Sequence, residues 1–64
     1  MKIYINDQEI EIFRGASLKD ILWKFSKEEY YQVLNGEKAV VDKGGNQVEM
    51  DGELDEGDMF YIRG

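Results

Sequence analysis

Between Asp51 and Asp58 five carboxylates crowd into one stretch: Asp51, Glu53, Asp55, Glu56 and Asp58. Oxygen donors at near-alternate positions are what a hard cation such as calcium takes. A helix–loop–helix calcium loop also needs glycine at its sixth position, for a sharp turn, and a bidentate Glu at its twelfth. Counted from Asp51, those positions hold Glu56 and Ile62. The run therefore reads as a solvated acidic turn, and no metal site is expected. Glu53, Asp55 and Asp58 are near enough in sequence for general acid–base work. Nothing around them excludes water, however, and so nothing separates their affinities for protons. Gly44-Gly45 lacks the Lys-Ser/Thr of a phosphate loop and the third glycine of a dinucleotide loop, and reads as a turn. The 64 residues include no His and no Cys. That excludes disulfides, cysteine-held zinc or iron–sulfur clusters, Cys–His nucleophile pairs and a histidine switch near neutral pH. No catalytic residue and no cofactor is expected; the chain reads as a protein that binds or is acted upon, not an enzyme.

The remaining candidates are aromatic. Tyr4 stands in Lys2-Ile3-Tyr4-Ile5, and Tyr61 in Met59-Phe60-Tyr61-Ile62. If Ile3, Ile5, Phe60 and Ile62 face a core, strand alternation turns Tyr4, Met59 and Tyr61 to the opposite side. Aromatic and Met side chains exposed together suit the centre of a protein interface. Arg63 and Gly64 emerge beside them. Gln32 and Leu34, or else Tyr31 and Val33, would extend the patch from a third strand.

Charge narrows the partner. The chain carries a net charge of −6, and residues 46–64, with one basic and six acidic side chains, hold −5 of it. Phosphate backbones and anionic membranes need a basic footprint, so neither nucleic acid nor a membrane surface is expected as partner. A basic protein surface would suit the acidic end. The longest apolar run is four residues, Met59 to Ile62, too short to span a membrane. The Met1-Lys2-Ile3-Tyr4 start does not read as a signal peptide, and cytoplasmic residence is expected.

These residues need elements to position them. Lys2 to Ile5 and Glu9 to Ile12 alternate across a polar Asn6-Asp7-Gln8, which predicts a hairpin burying Ile3, Ile5, Ile10 and Ile12. Ser17 followed by Asp20 reads as a helix start. Leu18, Ile21, Leu22 and Phe25 then form the apolar stripe of a helix of about three turns, with Trp23 off it. Asn35-Gly36 between Tyr30–Leu34 and Glu37–Val41 predicts a second hairpin, since both turn positions tolerate positive φ. Lys43-Gly44-Gly45-Asn46 predicts a turn, followed by a short alternating piece at Val48-Glu49-Met50. Leu54 pins the acidic connection, and Met59 to Ile62 is the last strand. Residues 1–64 thus read as a single α+β domain. Its mixed sheet has four to five strands, with one helix packed across one face and the first and last strands paired at the centre.

In that order of elements the chain resembles the ubiquitin-like β-grasp family, and most of all its sulfur-carrier branch, the ThiS and MoaD proteins. The resemblance rests on the Met-Lys-Ile-Tyr-Ile-Asn-Asp start, Gly15-Ala16-Ser17-Leu18-Lys19-Asp20-Ile21-Leu22 and Val33-Leu34-Asn35-Gly36-Glu37. Leu54-Asp55-Glu56-Gly57-Asp58 before the last strand completes it. It implies a β-grasp fold. It further implies a carrier whose C-terminal Gly64 is adenylated by an E1-like adenylyltransferase and converted to a thiocarboxylate, for thiamine or molybdopterin biosynthesis. Carriers end in Gly-Gly, whereas this chain ends Ile62-Arg63-Gly64. The resemblance also places a partner enzyme, the adenylyltransferase or a synthase, on the face formed by Tyr4, Met59, Tyr61 and Arg63. The family holds non-conjugated β-grasp modules as well, some of them parts of larger proteins or assemblies, and that is the alternative reading.

Overall fold

The computed structural model describes residues 1–64 throughout. Strands β1 (Lys2–Ile5) and β2 (Gln8–Glu11) pair antiparallel, with Ile3 opposite Ile10 and Tyr4 opposite Glu9. Asn6 and Asp7 make the connection at φ 50° and 67°. Two central residues at positive φ are what a tight hairpin turn requires, and Asn and Asp adopt that region more readily than other residues bearing a Cβ. The second strand begins one residue earlier than alternation suggests. Ile12 stays in the ladder, its N–H donating to the Met1 carbonyl at 2.9 Å.

The last strand, β4 (Met59–Arg63), lies parallel to β1, with Tyr4 beside Met59 and Ile5 beside Phe60. Strand β3 (Ala39–Asp42) pairs antiparallel with β4, which gives a four-stranded mixed sheet in the order β2-β1-β4-β3. No fifth strand forms at Val48-Glu49-Met50. That segment meets β3 only through an isolated bridge between Val41 and Gln47 and a Val48 N–H bond to the Val40 carbonyl.

Helix α1 (Leu18–Phe25) starts where the sequence places it. The Asp20 carboxylate accepts the Ser17 N–H at 2.9 Å and the Ser17 hydroxyl at 3.1 Å, tying the first turn shut. Leu18, Ile21 and Leu22 are fully buried, whereas Phe25 is half-buried at the margin of the core. They pack on Ile3, Ile5, Ile10, Ile12, Val40, Leu54 and Phe60 in one cluster. Leu54 does pin the acidic connection, which is also held to the helix start by a Ser17–Glu53 bridge and the Lys19 N–H on the Met50 carbonyl.

Two features of the predicted architecture are corrected. The molecule has two helices, not one, and Tyr30–Leu34 is not a strand. These residues belong to α2 (Lys27–Leu34), which packs against α1. Ser26 caps it by accepting the Glu29 N–H at 3.3 Å. Asn35-Gly36 ends this helix instead of turning a hairpin. Asn35 keeps right-handed φ at −81° and only Gly36 is left-handed, at +82°. The Gly36 N–H reaches the Val33 carbonyl and the Glu37 N–H the Gln32 carbonyl. That crossed pair is the Schellman ending, which satisfies carbonyls the helix leaves orphaned.

The two uses of Asn-Gly separate by mutation. Gly36→Ala is expected to cost about 1–2 kcal/mol for forcing a Cβ into left-handed backbone. Asn35→Ala, in right-handed backbone, should stay within about 0.5 kcal/mol in urea unfolding. In a hairpin turn both substitutions would be costly.

Candidate functional site

All the helix lies on one side of the sheet, so the other side is uncovered by helix. Alternation along β1 and β4 turns Tyr4, Met59, Tyr61 and Arg63 outward there. The register brings Tyr4 and Met59 side by side, and sets Tyr61 across from Val41. Val41 is only 7% exposed, yet it stands outside the main core cluster. Tyr61 on one side and the crossing segment at Gln47 on the other flank it. The sheet thus has a second, smaller apolar centre on its outer face, in which Tyr4, Met59 and Tyr61 are each partly exposed.

Both tyrosines are oriented by carboxylates of the β1–β2 hairpin. The Tyr4 hydroxyl donates to Glu9 Oε1 at 3.3 Å, and the Tyr61 hydroxyl to Asp7 Oδ1 at 3.4 Å. Partial burial, and then the Asp7 carboxylate, hold the Tyr61 proton on beyond the ordinary tyrosine range. Asn6 ties the same corner to β4, since its Oδ1 accepts the Ile62 N–H at 3.0 Å. The patch is therefore apolar at its centre and acidic along the hairpin edge, and its hydroxyls are already engaged.

Arg63 is exposed at the end of β4 and forms no ion pair, and Gly64 follows it. A Cβ built on Gly64 would meet only the Lys38 side chain, at 3.8 Å, an ordinary contact. The fold itself does not demand glycine there. Arg63 and Gly64 line an open hollow of about 470 Å³ with Val33, Lys38, Val48 and Met50.

Gln32, Leu34, Tyr31 and Val33 do not extend the patch, because α2 carries them to the helical side of the sheet. There they contribute to a group that alternation along strands misses. Trp23 meets Tyr30 edge-on at 5.2 Å and Tyr31 at 6.1 Å between ring centres, and Lys27 Nζ sits 5.1 Å from the Trp23 ring. The signal for it lies in Ser26-Lys27-Glu28-Glu29, a cap with a Glu three residues on, which starts the helix that brings the rings together.

No group of three carboxylates converges as a metal site, and no helix is long and apolar enough to cross a membrane. Set against known protein families, curated proteins and solved structures, the chain matches none of them.

The Tyr61–Asp7 contact is open to titration. Asp7→Asn keeps a residue suited to left-handed backbone but removes the charge. It should bring Tyr61 ionisation back towards the ordinary value of 10.0, followed by NMR of the ring resonances. Because the folded value is raised, stability from this group is full below the unfolded tyrosine value and is lost as pH rises through the folded one. Asp7→Asn should therefore flatten the alkaline fall in stability.

Proposed function

We infer that this chain is a ubiquitin-like β-grasp protein that works by docking other proteins on the outer face of its sheet. The observation that carries the reading is the juxtaposition of Tyr4, Met59 and Tyr61 on a face that no helix covers. The order β2-β1-β4-β3, with the first and last strands parallel at its centre, supports the β-grasp assignment. Interface centres favour aromatic and Met side chains, and an acidic margin at Asp7 and Glu9 selects a partner whose complementary rim is basic. The charge of −5 over residues 46–64 acts in the same direction at longer range, speeding encounter more than it lengthens residence.

The test begins with photo-crosslinking amino acids placed at Tyr4 and Met59, and at Glu28 on the helical side as control, in the native host. A partner should be captured from the first two positions and not from the third. Tyr61→Ala should then weaken that partner by about 30-fold, the effect of an anchor worth about 2 kcal/mol, while the protein stays folded. Equal binding by Tyr61→Ala would make the patch ordinary strand surface.

A second reading follows from Gly64. Since the fold does not need glycine at that position, a requirement for it would belong to a partner. A narrow adenylation site that threads a chain end lacking Cβ atoms would impose such a requirement. In this reading an E1-like adenylyltransferase activates the Gly64 carboxyl, and the chain carries sulfur into cofactor biosynthesis. Intact mass of the protein from its native host decides between the two. A species heavier by exchange of one oxygen for one sulfur, and absent when Gly64 is deleted, is expected of the carrier; an unmodified chain is expected of the docking module.

A further inference from the structure

The C-terminal end of α2 holds two neighbouring residues that can react with each other. The chain has three asparagines, Asn6, Asn35 and Asn46, and only Asn35 is followed by glycine. An asparagine side-chain amide is open to attack by the main-chain nitrogen of the next residue. A missing Cβ on that residue removes the crowding that ordinarily slows the approach. Asn6 is withdrawn from this reaction, since its Oδ1 accepts the Ile62 N–H at 3.0 Å and Asp7 follows it. Asn46 precedes Gln47, which carries a Cβ. Asn35 is exposed and takes part in none of the side-chain hydrogen bonds of α2. A Cβ on Gly36 would meet nothing within 4 Å, so water reaches the pair freely.

The helix end holds the reaction off. At ψ −2° the Gly36 nitrogen eclipses the Asn35 nitrogen about the Cα–C bond. A five-membered ring requires it to eclipse Cβ instead, so Asn35 must first leave right-handed backbone. The attacking nitrogen must also lose its proton, and the Gly36 N–H donates to the Val33 carbonyl at 3.1 Å. Both restraints belong to the Schellman ending. They last only while that end of α2 stays closed. Helix α2 has no buried residue, and elements that bury little open locally at low cost.

We propose that Asn35 is a site of spontaneous deamidation, gated by opening of the C-terminal end of α2. In the open state the Gly36 nitrogen gives its proton to hydroxide and bonds to Asn35 Cγ. The Cγ–Nδ2 bond breaks, and the side-chain nitrogen leaves as ammonia with a proton from water. Water then opens the succinimide at one carbonyl or the other, leaving aspartate or isoaspartate at residue 35. No oxidant or reductant enters. The isoaspartyl product routes the main chain through Cβ. That adds an atom inside the turn whose crossed bonds join Gly36 to Val33 and Glu37 to Gln32. Either product adds one negative charge to a net −6, at a helix C-terminus, where the dipole disfavours it. Modification therefore loosens α2, and with it the packing of Tyr30 and Tyr31 on Trp23.

The test follows the full chain at neutral and mildly alkaline pH, in buffer and in urea, by intact mass, peptide mapping and an isoaspartyl methyl-acceptor assay. A species heavier by exchange of one NH2 for one OH, mapped to Asn35, should form at a rate proportional to hydroxide. It should form about tenfold or more faster in urea, where the gate is gone. In urea Gly36→Ala should slow it by about tenfold. That comparison is made on unfolded chains, so the stability of the variant does not enter. In buffer, emission from Trp23, the only tryptophan, should shift to the red as product accumulates, and Asn35→Asp should reproduce the part due to charge. Equal rates in buffer and urea overturn the gate. Product forming in buffer no faster than the globally unfolded fraction allows overturns the local opening. Reaction at Asn6 or Asn46 before Asn35, or isoaspartate at Asp51-Gly52 without loss of NH2, overturns the site. Unchanged emission after full conversion overturns the loosening of α2.

Discussion

The parallel contact between β1 and β4 is the constraint that the rest of the molecule obeys. It joins Lys2–Ile5 to Met59–Arg63 at the middle of the sheet, so the elements between these two strands must fit within their connection. Parallel strands cannot be closed by a tight turn and need a long crossover; here that crossover contains β2, both helices and β3. The ladder is longer than the two register pairs alone suggest, because side chains extend it. At one end Glu56 Oε2 accepts the Lys2 N–H at 2.7 Å, next to the Gly57 N–H on the Lys2 carbonyl. At the other, after Asn6 has turned away from the strand direction, its Oδ1 receives the Ile62 N–H. Both side chains stand where a main-chain partner has run out. Pairing across so large a sequence separation carries a loop-closure cost, so these local extensions support a contact that forms against entropy.

The same contact gives the sheet two unlike faces. Ile3, Ile5 and Phe60 point towards α1 and are sealed, while Tyr4, Met59 and Tyr61, in the alternate positions, are not. The helices differ in a parallel way. Helix α1 is anchored by three fully buried residues, whereas α2 has no buried residue: Tyr30 and Val33 pack at the margin of the core, and Ser26, the Schellman ending and the Glu29–Lys38 ion pair at 2.9 Å fix its ends. It also carries the one buried side-chain oxygen without a partner, Gln32 Oε1. One face of α2 meets the margin of the core through Tyr30 and Val33, and the other displays Tyr31 and Leu34 outward. The small size of the core thus explains both surfaces: there is too little interior to take in every aromatic residue.

Periodicity made the sheet legible. Four isoleucines at alternate positions in two short runs have one economical arrangement, and all four are buried. The Ser17–Asp20 box and the outward placement of Tyr4, Met59 and Tyr61 could likewise be read from residue type and spacing. Helix α2 could not be read from Asn35-Gly36, because the pair fits two structures: both residues left-handed in a hairpin, or only the glycine left-handed at a helix end. What decides is upstream, where Ser26 and Glu29 mark a start and Tyr30, Val33 and Leu34 recur at helical spacing. Short apolar runs rich in Tyr and Val favour strand on propensity alone, and the caps outweigh that preference here. The Trp23 cluster was hidden for the same reason, since its three rings converge only once α2 is folded against α1.

The acidity of the chain also takes on a different meaning in the folded molecule. As composition, a charge of −6 suggests solubility and the choice of partner. In the structure several carboxylates are structural acceptors for main-chain N–H groups that have no strand or helix to pair with. Asp20 serves Ser17, Glu56 serves Lys2 and Asp58 serves Asp55, while Asp42 Oδ1 takes both Gly44 and Asn46 in the turn after β3. A carboxylate is suited to this because it only accepts and can take several donors at once. In a chain without disulfides, and with a core of eleven buried residues, such caps close turns that packing does not reach. A hydrogen bond from a neutral N–H leaves a carboxylate its charge, so these groups contribute to the long-range field of the molecule together with Asp51, Glu53 and Asp55. Negative charge here therefore does two things at once, and the hydrogen bonds show which carboxylates also hold the fold together.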